Sequence, residues 1–324
     1  MTFAAAYVAT VEKVAVCAVM AGCKPEYLPA ALAIACSGGG NTNCPGTSSA
    51  PGTMFFVSGP FAKEIGMDAG QTAMDVGSIA NMSIGRVGAL MTVNFGGCIT
   101  GIVRTDHGGP VHSVCFAEDL EGLPAGWRSF AQESTYYKDG KPVNFTAKDS
   151  VVGKFGPTMV VTGVNFPGSF RVYTLGIGGL ARRLGVEGTP GPWNWLGTLL
   201  PDFVQMKGAP GGATIVFNPN MAQWLLEAGF KDKKDGYQWM YDTYFITAGR
   251  YYNYGGWEFP TAGGLNIEPT SGKPFKDLPP DYKLRAFSND PMGNCFIVSA
   301  GFGDEMYWIY NSGRPAAYPI DPWK

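Results

Sequence analysis

The chain has 324 residues, of which 45% are hydrophobic, so it is long enough to bury one large core or two smaller ones. Only 15% of the residues are charged and the formal net charge is −2, which argues against a nucleic-acid-binding or membrane-binding surface. The 46 glycines and 24 prolines follow no repeat and predict many turns and irregular connections. We therefore expect a globular protein with neither nucleic acid nor membrane as a partner.

The cysteines and the first residues of the chain indicate the cellular compartment of the protein. Several of the seven cysteines lie inside apolar runs, where a free thiol behaves as a small hydrophobic residue: Cys17, Cys36 and Cys295. The first residues lack a basic segment, and no apolar run reaches the roughly 18 residues of a spanning helix. The expected location is the cytoplasm.

The first predicted unit contains the main catalytic candidate. Residues Lys13–Met20 form an apolar run of strand length, and Pro25 suits the first turn of a helix that extends to Cys36. Cys23 would then lie at a strand-to-helix turn, where ligands gather in open α/β sheets and a helix N-terminus lowers the pKa of a thiol. Cys23 is thus either the catalytic thiol or only a small turn residue.

A polar loop and a second strand follow. The run from Ser37 to Gly52 is rich in glycine and hydroxyl residues and predicts a loop. Its Thr47 and Ser48 hydroxyls predict contacts with a polar ligand, unless the loop is only a flexible connection. Next, Thr53–Ser58 predicts a strand and Phe61–Ile65 a helix, which places the candidate binding residues at a second strand end: Ser58 and Gly59.

A predicted helix begins near Asn81 and ends at Gly96-Gly97, because apolar residues recur between them at helical spacing. Arg86 lies early in this helix, where the helix dipole disfavours a cation. A carboxylate partner or an anionic ligand would account for it. Asn81 and Arg86 are therefore candidate substrate-binding residues, with a structural ion pair as the alternative for Arg86.

The richest polar cluster holds both histidines of the chain, His107 and His112, and ends at Glu118. If Val111–Ala117 is a strand, His112 and Cys115 point to opposite faces, and the spacing H-x4-H…C matches no zinc pattern. We predict no metal site. His107, in a glycine-rich loop, is the candidate general acid or base because imidazole titrates near neutral pH. His112 and Glu118 are candidate substrate-binding residues.

The rest of the chain predicts an insert and a second α/β half. Residues 120–212 are rich in glycine, proline and aromatic residues, with a strand at Thr158–Thr162. The strand–turn–helix pattern returns at 214–228, and a further helix is predicted over Lys231–Thr243. Cys295–Ala300 predicts a last buried strand, before a short helix from Asp304. The expected segments, which can form one compact domain, are 1–119, 120–212 and 213–324.

Four stretches resemble the large domain of the bacterial UGSC-motif (seleno)protein family. They are AVMAGCKPEY at 18–27, FVSGPFAKEIG at 56–66, SIGRVGALMTVNFGG at 83–97 and CFIVSAGFG at 295–303. The resemblance implies an α/β fold and a redox or lyase-type enzyme. This chain has no UGSC or CGSC tetrapeptide, which puts a selenol or dithiol role in doubt.

The sequence therefore predicts an α/β fold with a mixed or mostly parallel sheet, helices on both faces and two pseudo-similar halves. The predicted function is an enzyme acting on a small polar or anionic substrate, because a passive binder needs neither a thiol nor an imidazole. Lyase or hydro-lyase chemistry is favoured because there is no CxxC pair and no dinucleotide fingerprint. The alternatives are a thiol-based redox enzyme and a non-catalytic binding or scaffold subunit. The cofactor is unknown, and a homo-oligomer is expected.

Overall fold

The computed structural model describes residues 8–38, 49–52, 54–71, 73, 77–97, 115–155, 158–161, 170–171, 214–227, 229–243, 245–249, 267–268, 270–285, 290–301, 307–310 and 313–324. The helices are α1 (Val11–Ala21), α2 (Leu28–Cys36), α3 (Phe61–Glu64), α4 (Ile79–Asn94), α5 (Phe130–Glu133), α6 (Pro219–Glu227) and α7 (Lys233–Thr243). The strands are β1 (Ser49–Gly52), β2 (Phe55–Ser58), β3 (Cys115–Ala117), β4 (Thr135–Lys138), β5 (Lys141–Asn144), β6 (Val151–Lys154), β7 (Thr158–Val161), β8 (Phe170–Arg171), β9 (Thr214–Phe217), β10 (Phe245–Thr247), β11 (Lys283–Arg285), β12 (Cys295–Val298), β13 (Tyr307–Tyr310) and β14 (Ala316–Pro319).

The opening apolar run is a helix, so the strand predicted over Lys13–Met20 is wrong. Helix α1 buries one face at helical spacing and leaves Val16, Val19 and Met20 exposed. The buried residues are Val14, Cys17, Ala18 and Ala21. The Thr10 side chain caps the helix by accepting from Lys13 N at 3.3 Å, and Gly22 ends it in the left-handed conformation. The helical spacing of the buried residues, the caps at both ends and the alanine content favour a helix more strongly than the apolar character of the run favours a strand.

A four-stranded mixed sheet has the order β14-β6-β2-β3, with β2 parallel to β3 and antiparallel to β6. Strand β2 is buried on both faces, because Phe55 and Val57 pack in the core beneath α1, α2 and α4 while Phe56 points to the other side. A strand that is buried on both faces requires such a continuous run of apolar residues.

A second four-stranded sheet has the order β12-β9-β13-β8, with β9 parallel to β12 and antiparallel to β13. Its Ile215 and Phe296 pack in a core together with residues of α6 and α7. The α/β class and the mixed strand directions are therefore confirmed. The short helix predicted after Gly303 is wrong, because Tyr307–Tyr310 form β13 between β9 and β8; Asp304 lies outside the described residues.

The two sheets are joined where β3 and β12 end. Asp119 N donates to Val298 O at 2.8 Å, and Ser299 Oγ donates to Ala117 O at 2.7 Å. Both sheets also contribute to one core, in which the Phe56 and Phe116 rings lie 5.5 Å apart next to Val216 and other apolar residues of the second sheet. Because each buried Phe side chain stabilises the fold by about 1.5–3 kcal/mol, this shared core holds the sheets together firmly.

Most of the other predicted elements are present near their expected bounds. The strands at 55–58, 115–117, 158–161, 214–217 and 295–298 and the helices α2, α3, α4, α6 and α7 are confirmed. Pro219 is the first residue of α6 and not part of a separate turn. No helix in the described part of the chain is long and apolar enough to cross a membrane.

The turn after β2 predicts a stability difference between two glycines. Gly59 has φ +116°, and a Cβ there would lie 2.4 Å from Asp149 O, whereas Gly66 has φ +72° with nothing within 4 Å of a Cβ. We expect Gly59→Ala to lower the free energy of unfolding by about 3 kcal/mol or more, from backbone strain and overlap together. Gly66→Ala should cost only about 1 kcal/mol. Urea denaturation measures both, and equal losses would contradict the geometry described for the turn.

Candidate functional site

Two of the predicted binding residues, Ser58 and Glu118, meet at the carboxyl ends of β2 and β3. Ser58 Oγ donates to Glu118 Oε2 at 2.5 Å. Both residues are buried, with exposed fractions of 0% and 2%. The parallel pairing of β2 and β3 produces this contact, because the last residue of β2 and the residue after β3 lie at the same edge of the sheet.

The remaining partners of Glu118 come from two helices. Phe130 N, at the start of α5, donates to Glu118 Oε2 at 2.9 Å, and Ala131 N donates to Ser58 Oγ at the same distance. Lys233 Nζ donates to Glu118 Oε1 at 3.1 Å, and both side chains of this ion pair are fully buried. Each of these polar groups has a partner within the described part of the protein, so the Glu118 network holds the two strand ends and the two helices together. A role of Ser58 and Glu118 in substrate binding stays a prediction.

Cys23 follows the end of α1 and therefore lies in a helix-to-helix turn, not at the predicted strand end. It is half-buried, and burial raises the pKa of its thiol, while a hydrogen bond with Ser83 lowers that pKa in part. The expectation of a stabilised thiolate at Cys23 is thus contradicted. A role for Cys23 as a neutral thiol stays a prediction.

The other described candidates have separate surroundings. Asn81 uses its side chain to bind the backbone of Asp68 and Ala73, which joins the segment before α4 to the helix start. Arg86 is exposed, and among the described residues no acidic side chain forms an ion pair with it. Gly59 belongs to the tight turn after β2. The last four candidates lie outside the described residues: Thr47, Ser48, His107 and His112.

A second buried carboxylate, Glu133, lies at the opposite end of α5. Its Oε2 accepts from Tyr237 OH at 3.0 Å and from Arg314 Nη2 at 3.3 Å, and its side chain is fully buried. Tyr237 OH in turn accepts from Phe296 N at 3.0 Å, and burial raises the pKa of this phenol well above its ordinary value. Tyr237 is therefore a neutral hydrogen-bond donor that fixes Glu133.

Arg314 is held from several sides and still reaches the surface. Its Nη1 donates to Asn294 O at 3.0 Å, and its guanidinium lies 5.8 Å from the Phe130 ring centroid and 5.7 Å from that of Tyr237. About 17% of the side chain is exposed. A guanidinium has more N–H groups than the acceptors that the described residues provide here, so Arg314 can still bind an external acceptor.

Arg314, whose side chain is partly exposed, lines a cavity of about 470 Å³, called here the Arg314 cavity. The cavity lies between β4 and β14, with the Tyr136 and Tyr318 rings on opposite strands and their centroids 6.4 Å apart. Its lining residues are Glu133, Ser134, Thr135, Tyr136, Tyr137, Arg314, Pro315, Ala316, Ala317 and Tyr318. Its volume falls in the usual range for small-molecule sites.

Sequence reasoning missed the residues of this cavity. Glu133 and Arg314 are 181 positions apart, and neither lies in a motif with a known chemical role. One local signal was available: Ser129 and Gln132 have the spacing of a capping box, and the structure contains that box at the start of α5. This spacing predicts the helix that carries Glu133, but it does not predict the function of Glu133.

Comparison with other proteins adds no family assignment. No protein-family model matches this chain, and no curated protein or solved structure matches it either. In the described residues, the structure brings a partly exposed arginine side chain, a buried carboxylate and two phenol rings to one cavity.

The Glu118 network predicts a large difference between neighbouring lysines. Lys233→Met leaves the Glu118 carboxylate buried without its counter-ion and should lower the free energy of unfolding by about 3–5 kcal/mol. Lys234→Met, one residue along and exposed, should change it by less than about 0.5 kcal/mol. Chemical denaturation compares the two variants.

The double variant Lys233→Met/Glu118→Gln should be more stable than Lys233→Met alone, because it removes the unpaired charge. Equal stability of the Lys233→Met and Lys234→Met variants would show that the buried ion pair does not have this role.

Proposed function

We propose that the protein is an enzyme that binds a small polar molecule through an anionic group at Arg314. The observation that carries this proposal is the partly exposed Arg314 side chain on the lining of the cavity, whose guanidinium is held by Glu133 and by Asn294 O. An arginine oriented in this way suits a carboxylate, because the fork of N–H groups matches two oxygens at once. The Tyr136 and Tyr318 rings would bound the rest of the molecule.

The proposed reaction is of the lyase or hydro-lyase type. In such a reaction a C–H proton and a leaving group are lost from neighbouring carbons, and an arginine that holds the carboxylate stabilises the negative charge that develops beside it. His107 remains the proposed acid or base, and Cys23 remains the proposed thiol of the site. Both proposals derive from the sequence. They require the candidate loops to approach the bound molecule.

Cys23 is not among the residues that line the Arg314 cavity. Cys23 and Cys115 pack in the core on the α1 and α4 side of the first sheet, whereas Ala317 of the cavity packs in the core on the other side. A thiol redox enzyme, the class that the UGSC resemblance also implies, would use Cys23 with a second thiol. Arg314 is the main support for an anion site, and it favours the lyase reading.

The finer architecture belongs to the same proposal. Each proposed half contains a parallel strand pair, β2 with β3 in one and β9 with β12 in the other. A helix starts within three residues of the end of β2 and of β9. We propose that the two halves are related by this repeated strand–turn–helix unit. Helices on both faces of the sheet and a homo-oligomeric assembly belong to the same proposal.

Turnover of a panel of small hydroxy acids and amino acids tests the proposal, because loss of water or ammonia forms a conjugated acid that absorbs in the ultraviolet. For a substrate found in this way, Arg314→Gln should lower kcat/KM by about 10- to 100-fold, the effect of losing a charge-assisted hydrogen bond. Thermal unfolding of the variant checks that it is folded.

Arg86→Gln tests the alternative binding site, because Arg86 is the other candidate for binding the anion. Loss of turnover in Arg86→Gln with full turnover in Arg314→Gln would place the substrate at α4 and reject the cavity. Binding of panel members without turnover of any would favour the non-catalytic binding subunit over the enzyme.

A further inference from the structure

Among the described residues, one carboxylate oxygen of Glu133 has no hydrogen-bond partner. Glu133 Oε1 is buried, and the described residues provide no hydrogen bond to it, whereas Oε2 of the same carboxyl accepts from Tyr237 and Arg314. An unsatisfied buried carboxylate oxygen is costly, so native structures rarely keep one without a purpose. Glu133 also lines the Arg314 cavity. Glu133 Oε1 therefore has the capacity to accept a hydrogen bond that the described residues do not provide.

The buried charges beneath the cavity are balanced before any ligand binds. Lys233 pairs with Glu118, and Arg314 pairs with Glu133, so two cations face two carboxylates. In the described part of the chain, the other titratable groups packed among them are Tyr237 and Cys295, and burial raises both pKa values, that of Cys295 to about 12. Both are thus neutral near pH 7. A ligand with only an anionic group would leave one unbalanced negative charge in this region, at a substantial cost.

The walls of the cavity favour a positive charge as well. Tyr136 and Tyr318 present aromatic rings, whose faces attract an ammonium group that is partly removed from water. The cavity thus offers one cationic and two electron-rich features: the Arg314 guanidinium, the Glu133 carboxyl and the tyrosine rings.

We propose that the ligand of the Arg314 cavity is a small zwitterion, of the amino acid class, whose carboxylate binds Arg314 and whose ammonium donates to Glu133 Oε1. Such a molecule satisfies the unpartnered oxygen and leaves the sum of the buried charges unchanged. The inference rests on the proposed function, because it uses the same cavity and the same arginine, and it specifies the substrate class that the proposed function leaves open.

Matched ligand pairs test the inference on the unmodified protein. Melting temperature and isothermal titration are measured with L-alanine, L-phenylalanine and L-glutamate, and with propionate, 3-phenylpropionate and glutarate, which differ only by lacking the ammonium group. At least one amino acid should bind, and it should bind about 10-fold or more tightly than its counterpart. Its N-trimethylated derivative, which keeps the charge and has no N–H donor, should also bind more weakly.

Two variants show which residue causes the preference for an amino acid over its counterpart acid. Glu133→Gln should reduce the preference for the amino acid over its counterpart to about twofold or less, and Arg314→Gln should weaken both ligands. Because Glu133→Gln can also disturb the packing, the ligand pairs on the unmodified protein decide the question independently.

If the counterpart acids bind as tightly as the amino acids, the zwitterion inference is overturned while the anion site at Arg314 stands. If no acid of either set binds, even at millimolar concentration, both the inference and the proposed function are rejected.

Discussion

The Glu118 carboxylate is the interaction on which the rest of the structure depends. It accepts from Ser58 at the end of β2, from Phe130 N at the start of α5 and from Lys233 on α7, and all of these groups are buried. One carboxylate thus joins two strands and two helices. An unpaired carboxylate in this position would lower the free energy of unfolding by several kcal/mol. The two strands and two helices therefore pack in the one arrangement that gives the carboxylate its partners.

The same network sets the position of the proposed ligand site. Helix α5 is fixed at its first residues by Glu118 and Ser58, and its last residue is Glu133. Helix α7 carries Lys233 and Tyr237 one turn apart, and each donates to one of the two carboxylates. The floor of the Arg314 cavity is therefore attached to a fully buried polar cluster, which gives Arg314 a defined orientation.

The sequence predicted those parts of the fold whose signals are local. The strands β2, β9 and β12 are short apolar runs bounded by turn residues, and Gly229 after α6 ends a helix as expected. The strand predicted over Lys13–Met20 is wrong because a short apolar segment fits a buried strand and a helix equally well. Its burial at residues 14, 17, 18 and 21 has helical spacing, and Thr10 provides the cap.

The candidate site was harder to predict because its contacts are distant in sequence. Ser58 was expected at a strand end and Glu118 in a polar cluster, and the structure brings them together as buried partners. Their role in substrate binding stays a prediction. Lys233 is 115 positions from Glu118. Nothing local distinguishes it from the exposed Lys234 beside it. Arg314 likewise gains its role only from the packing of α5, α7 and β14 around it.

The most direct test of the central claim is a crystal structure of the protein soaked with the amino acid that raises its melting temperature most. We expect density in the Arg314 cavity, with the carboxylate on Arg314, the ammonium on Glu133 Oε1 and the rest of the molecule against the Tyr136 and Tyr318 rings. Density beside Cys23, with the Arg314 cavity containing only water, would contradict the account and return the site to the turn after α1.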